Sequence, residues 1–176
     1  MAANKKRAFD GLYAQLEEVN NHVVLFAAKG EPSVIFEMTN PVQQLCTDAE
    51  QYLRFQDVLS NIVQTLGEGY ALQKQDVFCK QSYHHEVPED AEFLTRSYFR
   101  YFEGREFTEI RTFLILTQEA QRGQFVQYDP KKWLDFHAKV NKVSDILSEK
   151  HIRHRMLSKE EVNEYCHRFM AFQFRH

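Results

Sequence analysis

GEGYALQKQDVFCKQSYHHEVPEDAEFLTRSYFRYFEGREF, running from Gly67 to Phe107, sets a polar strand, a turn and an aromatic helix in direct succession. Tyr70 to Gln81 reads as a strand, with Tyr70, Leu72, Phe78 and also Val77 as candidates for the inward row. Lys74 and Asp76 interrupt that row, inside the polar run Gln73, Lys74, Gln75, Asp76. Two readings stay open for them: an ion pair satisfied at the edge of a sheet, or part of a surface that meets another domain or subunit. His84, His85 and Glu86 come next. Adjacent side chains on an extended segment point apart, so they do not converge on a metal, and the segment reads as a polar loop. Pro88, Glu89 and Asp90 then open a helix predicted over Ala91 to Glu103, with acidic residues at its positive end and Gly104 as its stop. Its Phe93, Leu94, Tyr98, Phe99, Tyr101 and Phe102, interleaved with Arg96 and Arg100, make an apolar set wider than one sheet face needs. The expectation is core plus one or two exposed aromatics, with part of the set meeting another segment or another chain.

Upstream, His22 to Ala28 and Ser33 to Thr39 are β-branched and aromatic runs separated by Lys29, Gly30, Glu31 and Pro32, which predicts a hairpin. Val34, Phe36 and Met38 alternate with Ser33, Ile35, Glu37 and Thr39, so one face is expected to be buried and the other mixed. Pro41 ends the strand. Thr47 and Glu50 make a capping box for a helix whose stripe is Tyr52, Phe55, Leu59, Ile62 and Leu66, stopped by Gly67. The first 20 residues form an arm that suits either a short helix or an extended segment.

Downstream, Ile110 to Gln118 is continuously apolar at Phe113 to Leu116, as in a strand covered on both faces or central in its sheet. Asp129 and Pro130 open a helix with Trp133, Phe136 or His137, Val140, Val143 and Leu147 buried, where His137 reads as a packed or boundary residue. KHIRHR, Lys150 to Arg155, sits where a linker belongs. Ser158 and Glu161 form a second capping box for a last helix carrying Val162, Tyr165, Cys166, Phe169 and Met170 inward. Phe172 and Phe174 then stand near a chain end that looks like a cut through a larger protein.

Composition narrows the function classes. A chain of 176 residues with 43% hydrophobic content and 15 Phe has the means to build one packed domain. The net charge of -3 gives no support to a surface that neutralises many phosphates. Cys46, Cys79 and Cys166, far apart and odd in number, form neither a disulfide framework nor a metal knuckle and read as reduced core thiols. No apolar run approaches the roughly 20 residues of a membrane span, which places the chain in the cytoplasm. No nucleophile, acid and base fall together by spacing, and no catalytic or metal residue is assigned.

The phrases NPVQQ (Asn40 to Gln44), GEGYALQKQDVF (Gly67 to Phe78), FLTRSYFRYFEGREF (Phe93 to Phe107) and FLILTQE (Phe113 to Glu119), in this order and spacing, resemble the N-terminal region of TraG-type conjugation ATPases. The likeness covers Phe9 to Leu147. It implies a parent enzyme of a type IV secretion system, encoded on conjugative transposons, that uses ATP and magnesium to drive DNA transfer. The motor's GxxxxGKS or GxxxxGKT loop is missing, because none of Gly11, Gly30, Gly67, Gly69, Gly104 and Gly123 stands in that pattern. No catalytic residue and no cofactor is therefore carried over to this piece.

The expected fold is α+β, a two-layer, mixed but largely antiparallel sheet of four or more strands with helices mainly on one face. One N-terminal domain is expected: an arm (1–20), an α+β core (21–148) and a C-terminal helix (149–176) that belongs here or begins the link to the motor. The resemblance implies a non-catalytic assembly or docking domain, peripheral at the inner membrane, that contacts channel proteins or neighbouring ATPase subunits. Lys74, Asp76, Arg96, Arg100, Tyr101 and Arg105 are the candidate contact residues, being charged or aromatic groups of the distinctive phrases without a clear core role. Single-stranded DNA binding by the aromatic helix and the basic segments near Lys5 and Lys150 is the alternative.

Overall fold

The computed structural model describes residues 13–19, 21–40, 49–88, 90–119 and 129–171. Strand β1 is Tyr13–Val19, β2 His22–Ala27 and β3 Pro32–Met38; helix α1 is Ala49–Leu66 and strand β4 Tyr70–Ser82. Helix α2, Phe93–Phe102, is followed by β5, Glu106–Gln118, by helix α3, Pro130–Glu149, by β6, His154–Met156, and by helix α4, Lys159–Ala171. The fold is α+β. Among the described residues a six-stranded sheet runs β1-β2-β3-β5-β4, with β6 beside β3, and every pairing is antiparallel.

The open question of the arm is answered over Tyr13–Val19, which is extended and pairs with β2 through a turn that places Asn21 at φ 62. Asparagine tolerates that left-handed conformation because its side chain can bond locally. The expected hairpin is β2 and β3, although only Leu25 with Ser33 and Phe26 with Pro32 pair across it. Further along the same edge of β3, Phe36, Glu37 and Met38 pair with Met156, Arg155 and His154 of β6. KHIRHR is thus not a linker: its C-terminal part is a strand, and His154 is anchored by Ser144 Oγ at 2.8 Å. A basic segment reads as linker by composition, but Arg155 is charge-paired to Glu37 and Glu161, which lets it lie in the sheet.

Two apolar layers hold the sheet. On one face Val34, Phe36, Met38, Leu114 and Leu116 meet Phe55, Val58, Ile62 and Leu66 of α1 and Phe136, Val140 and Val143 of α3. Each such side chain contributes about 1.5–3 kcal/mol on burial. On the opposite face Leu25, Ile35, Phe113 and Val77 meet Val162, Tyr165 and Cys166 of α4. The expected mixed face of β3 is therefore buried as well, because α4 covers it. Val77 belongs to this second face, not to the inward row of Tyr70 and Leu72. Burial pushes the Cys166 thiol up to about 11.

The helix ends follow their local chemistry. Asp129 accepts the Lys131 amide at 2.9 Å with Pro130 at the first helical position. Ser158 and Glu161 exchange backbone-to-side-chain bonds at 2.9 and 3.3 Å, the reciprocal geometry of a capping box. Gly67 closes α1 at φ 71, with its amide on Val63 O. The Thr47 cap, Cys46, Phe172 and Phe174 lie outside the described residues.

Candidate interaction surface

β4 and β5 pair without a register shift from Tyr70 and Gln118 to Ser82 and Glu106. β3 accompanies β5 only over Thr112–Thr117. Beyond that, among the described residues, the hairpin is two-stranded; α4 still covers Cys79 on one face, and Lys80–Ser82 carry the ribbon roughly 10 Å past the body. Phe78 was expected inward; it stays on the α1 face of the strand, yet it is 66% exposed because the helical cover has ended. Phe107, on the other face of the ribbon, is exposed too.

The loop at the end of this arm carries α2 and closes on itself. The Tyr83 amide donates to Arg105 O and the Gly104 amide to Tyr83 O, both at 2.9 Å, with Gly104 at φ 71. Phe99 stacks on the His85 ring at a centroid distance of 4.4 Å, and Phe102 meets Tyr83 edge-on at 6.1 Å. His84 Nδ1 lies 2.6 Å from Glu103 Oε1, and that hydrogen bond holds the Glu103 carboxyl below its ordinary range. No residue of α2 is buried, which corrects the expectation of core plus one or two exposed aromatics. The reason is placement: the helix sits at the tip of the arm, out of reach of either core. It also begins at Phe93, two residues later than predicted, with Glu92 at the cap position but without a side-chain capping hydrogen bond.

Phe99 and Phe102 form the inner side of α2, which leaves Phe93, Leu94, Tyr98 and Tyr101 outward, at 80%, 76%, 58% and 58% exposure. At roughly 200 Å² per aromatic side chain these expose on the order of 500 Å², as large as the biggest patches on ordinary monomers.

The six candidate residues fall into two groups. Arg96, Arg100, Tyr101 and Arg105 share the tip: Arg105 Cζ lies 3.6 Å from the Tyr101 ring centroid, and Arg96 Nη2 donates to Ala91 O at 2.9 Å. Lys74 and Asp76 lie about 20 Å away along β4, on the sheet. They form an ion pair with each other, and Thr112 Oγ1 donates to Asp76 at 2.6 Å. Partial burial alone would raise the Asp76 carboxyl, but the bonds from Lys74 and Thr112 outweigh it and hold it below its usual range. Sequence reasoning missed Phe93, Leu94 and Phe78 as surface groups; the excess width of the aromatic set was the available signal.

One buried polar cluster lies elsewhere. His22 of β2 and His137 of α3 approach at 2.5 Å between Nδ1 atoms, and His22 Nε2 lies 3.0 Å from Asn141 Oδ1. The amide oxygen can only accept, so His22 carries its proton on Nε2 and accepts at Nδ1 from His137. His137 Nε2 is then a bare acceptor, buried without a partner among the described residues. Both rings are therefore neutral, with pKa values lowered by burial. Among the described residues no group of three or more His, Cys, Asp or Glu side chains is arranged to hold a metal. No helix among them is long and apolar enough to cross a membrane.

No protein-family model matches the chain, and no curated protein matches it.

Proposed function

We propose that this chain is a non-catalytic docking and assembly domain of a TraG-type conjugation ATPase, which contacts membrane channel proteins or neighbouring ATPase subunits during DNA transfer. One observation carries the docking part: an arm that leaves the body and ends in a helix with no buried residue and an apolar outward face. An arm of this kind contributes little to its own core, and its exposed aromatics are the residue types that dominate protein interfaces. The ATPase part rests on the sequence resemblance alone. ATP and magnesium belong to the motor domain in this reading, and attachment to the inner membrane runs through partners.

Single-stranded DNA is the second ligand class, favoured only by the alternation of aromatics and arginines on α2. The acidic groups around the tip, Glu86, Asp90, Glu92 and Glu103, oppose it. The test is capture of purified channel membrane proteins by the full chain and by its Arg100→Glu and Arg105→Glu variants. Capture weakened about tenfold or more, with an unchanged thermal midpoint, is the expected result. Unimpaired capture by both variants, or binding to an oligonucleotide that falls steeply with salt, would sink the docking reading.

A further inference from the structure

β4 is the edge strand of the sheet and is 13 residues long, about twice the usual strand. Among the described residues β5 is the only strand that pairs with it. It has no register shift against β5 and no proline, two of the devices that commonly blunt an open edge. Its outward backbone groups are identified by the ladder's ends. Tyr83 donates to Arg105 O and Glu119 donates to Gly69 O, each at 2.9 Å, so the odd-numbered residues face β5. The antiparallel pattern alternates. The even-numbered residues Tyr70, Leu72, Lys74, Asp76, Phe78 and Lys80 therefore turn their N–H and C=O groups to the open side.

We infer that this edge pairs with β4 of a second copy of the chain, antiparallel, about a two-fold axis at Gln75. The charges select the register. An axis at Lys74 sets lysine against lysine, and one at Asp76 sets aspartate against aspartate. An axis at Val77 sets Lys74 against Lys80, and one at Gln73 leaves both charges opposite apolar or aromatic residues. The axis at Gln75 sets Lys74 opposite Asp76 of the second copy, twice, as hydrogen-bonded pairs of the new ladder. It also sets Leu72 opposite the exposed Phe78 and Tyr70 opposite Lys80. An axis at Phe78 opposes Asp76 to Lys80, but it strands Leu72 beyond the ladder, sets Lys74 against Ser82 and draws Lys80 from Glu106, its partner at 3.4 Å.

Lys74 and Asp76 are each about a quarter exposed and pair within their own strand. Pairing two edges would extend that pair into a four-charge cluster across the axis and join the two sheets into one. This second copy is a specific occupant for the docking reading above, and the contact's place in assembly rests on that reading. The strand pairing itself stands on register and charge.

The test is light-scattering mass across a concentration series, combined with cross-linking, on the full chain. The dimer is expected to form with rising concentration, and Lys74→Glu to raise its dissociation constant about tenfold or more, since like charges then face across the axis. The swap Lys74→Asp with Asp76→Lys is expected to restore dimerisation to within a few-fold. Gln75→Cys should yield a reducible covalent dimer under mild oxidation, whereas Gln73→Cys, displaced from its own copy by about 13 Å along the ladder, should match the unsubstituted chain. A monomer at every concentration overturns the proposal and means that Lys74 and Lys80 keep the edge unpaired. A dimer indifferent to both charge changes, or cross-linked through Phe78→Cys and not Gln75→Cys, overturns it as well. Capture of channel proteins is read separately, so a monomer that still captures them leaves the docking reading standing.

Discussion

His137 shows how one buried atom sets a pH response. Its Nε2 has no partner among the described residues, and its Nδ1–H is committed to His22, so adding a proton to the pair places a charge where none of them accepts it. Burial lowers both pKa values from 6.5, with the neighbouring ring lowering His137 further. A group whose folded pKa is depressed contributes stability that is present above its unfolded value and lost as pH falls through the folded one. The expected result is a stability that is flat above about pH 7 and falls as the pH drops below it, read as urea midpoints. The lowered carboxyls, Asp76 and Glu161, lose their contribution in the same direction, starting further into the acid. Histidine proton shifts titrating at the ordinary value for both rings would contradict this. The sequence placed His137 at or beside the buried stripe of its helix, as a packed or boundary residue, but it held no sign of His22, which lies 115 positions away and meets it only through the fold.

At the scale of elements, α2 combines a readable sequence with an unreadable position. Periodicity and Gly104 gave its existence and its end, and the aromatic excess hinted at an outside partner. That none of its residues is buried depends on where β4 and β5 outrun β3, a length that neither strand encodes alone. The two sides of the helix should therefore respond differently. Phe93→Ser with Leu94→Ser is expected to leave the unfolding free energy within about 0.5 kcal/mol, because those side chains are already in water. Phe99→Ala should loosen α2 from Tyr83 and His85, speeding amide exchange over the tip and not in β3. Hydrogen exchange measured by mass spectrometry on both variants checks this, and equal protection at the tip would count against the packing described.

For the whole molecule, stability lies in the two apolar layers, and above all in the layer under α1 and α3. Phe136 is fully buried between Val140, Trp133 and the sheet. Phe136→Ala should cost about 3–5 kcal/mol through lost burial and the cavity left behind, read from chemical denaturation. A loss below about 1 kcal/mol would place the core elsewhere. Hairpin β2–β3, the stripes of α1 and α3, the capping box of α4 and the central place of β5 were legible in the chain, because turn chemistry, capping and periodicity act over a few residues. The strand at KHIRHR, the burial of both faces of β3 and the isolation of α2 were not. Each depends on which distant segment arrives alongside: Arg155 lies in the sheet because Glu37 and Glu161 neutralise it, and Ile35 is buried because α4 returns to cover it. Local sequence specifies the elements and their apolar faces, whereas the partner of each face is chosen by long-range packing, which no spacing within an element records.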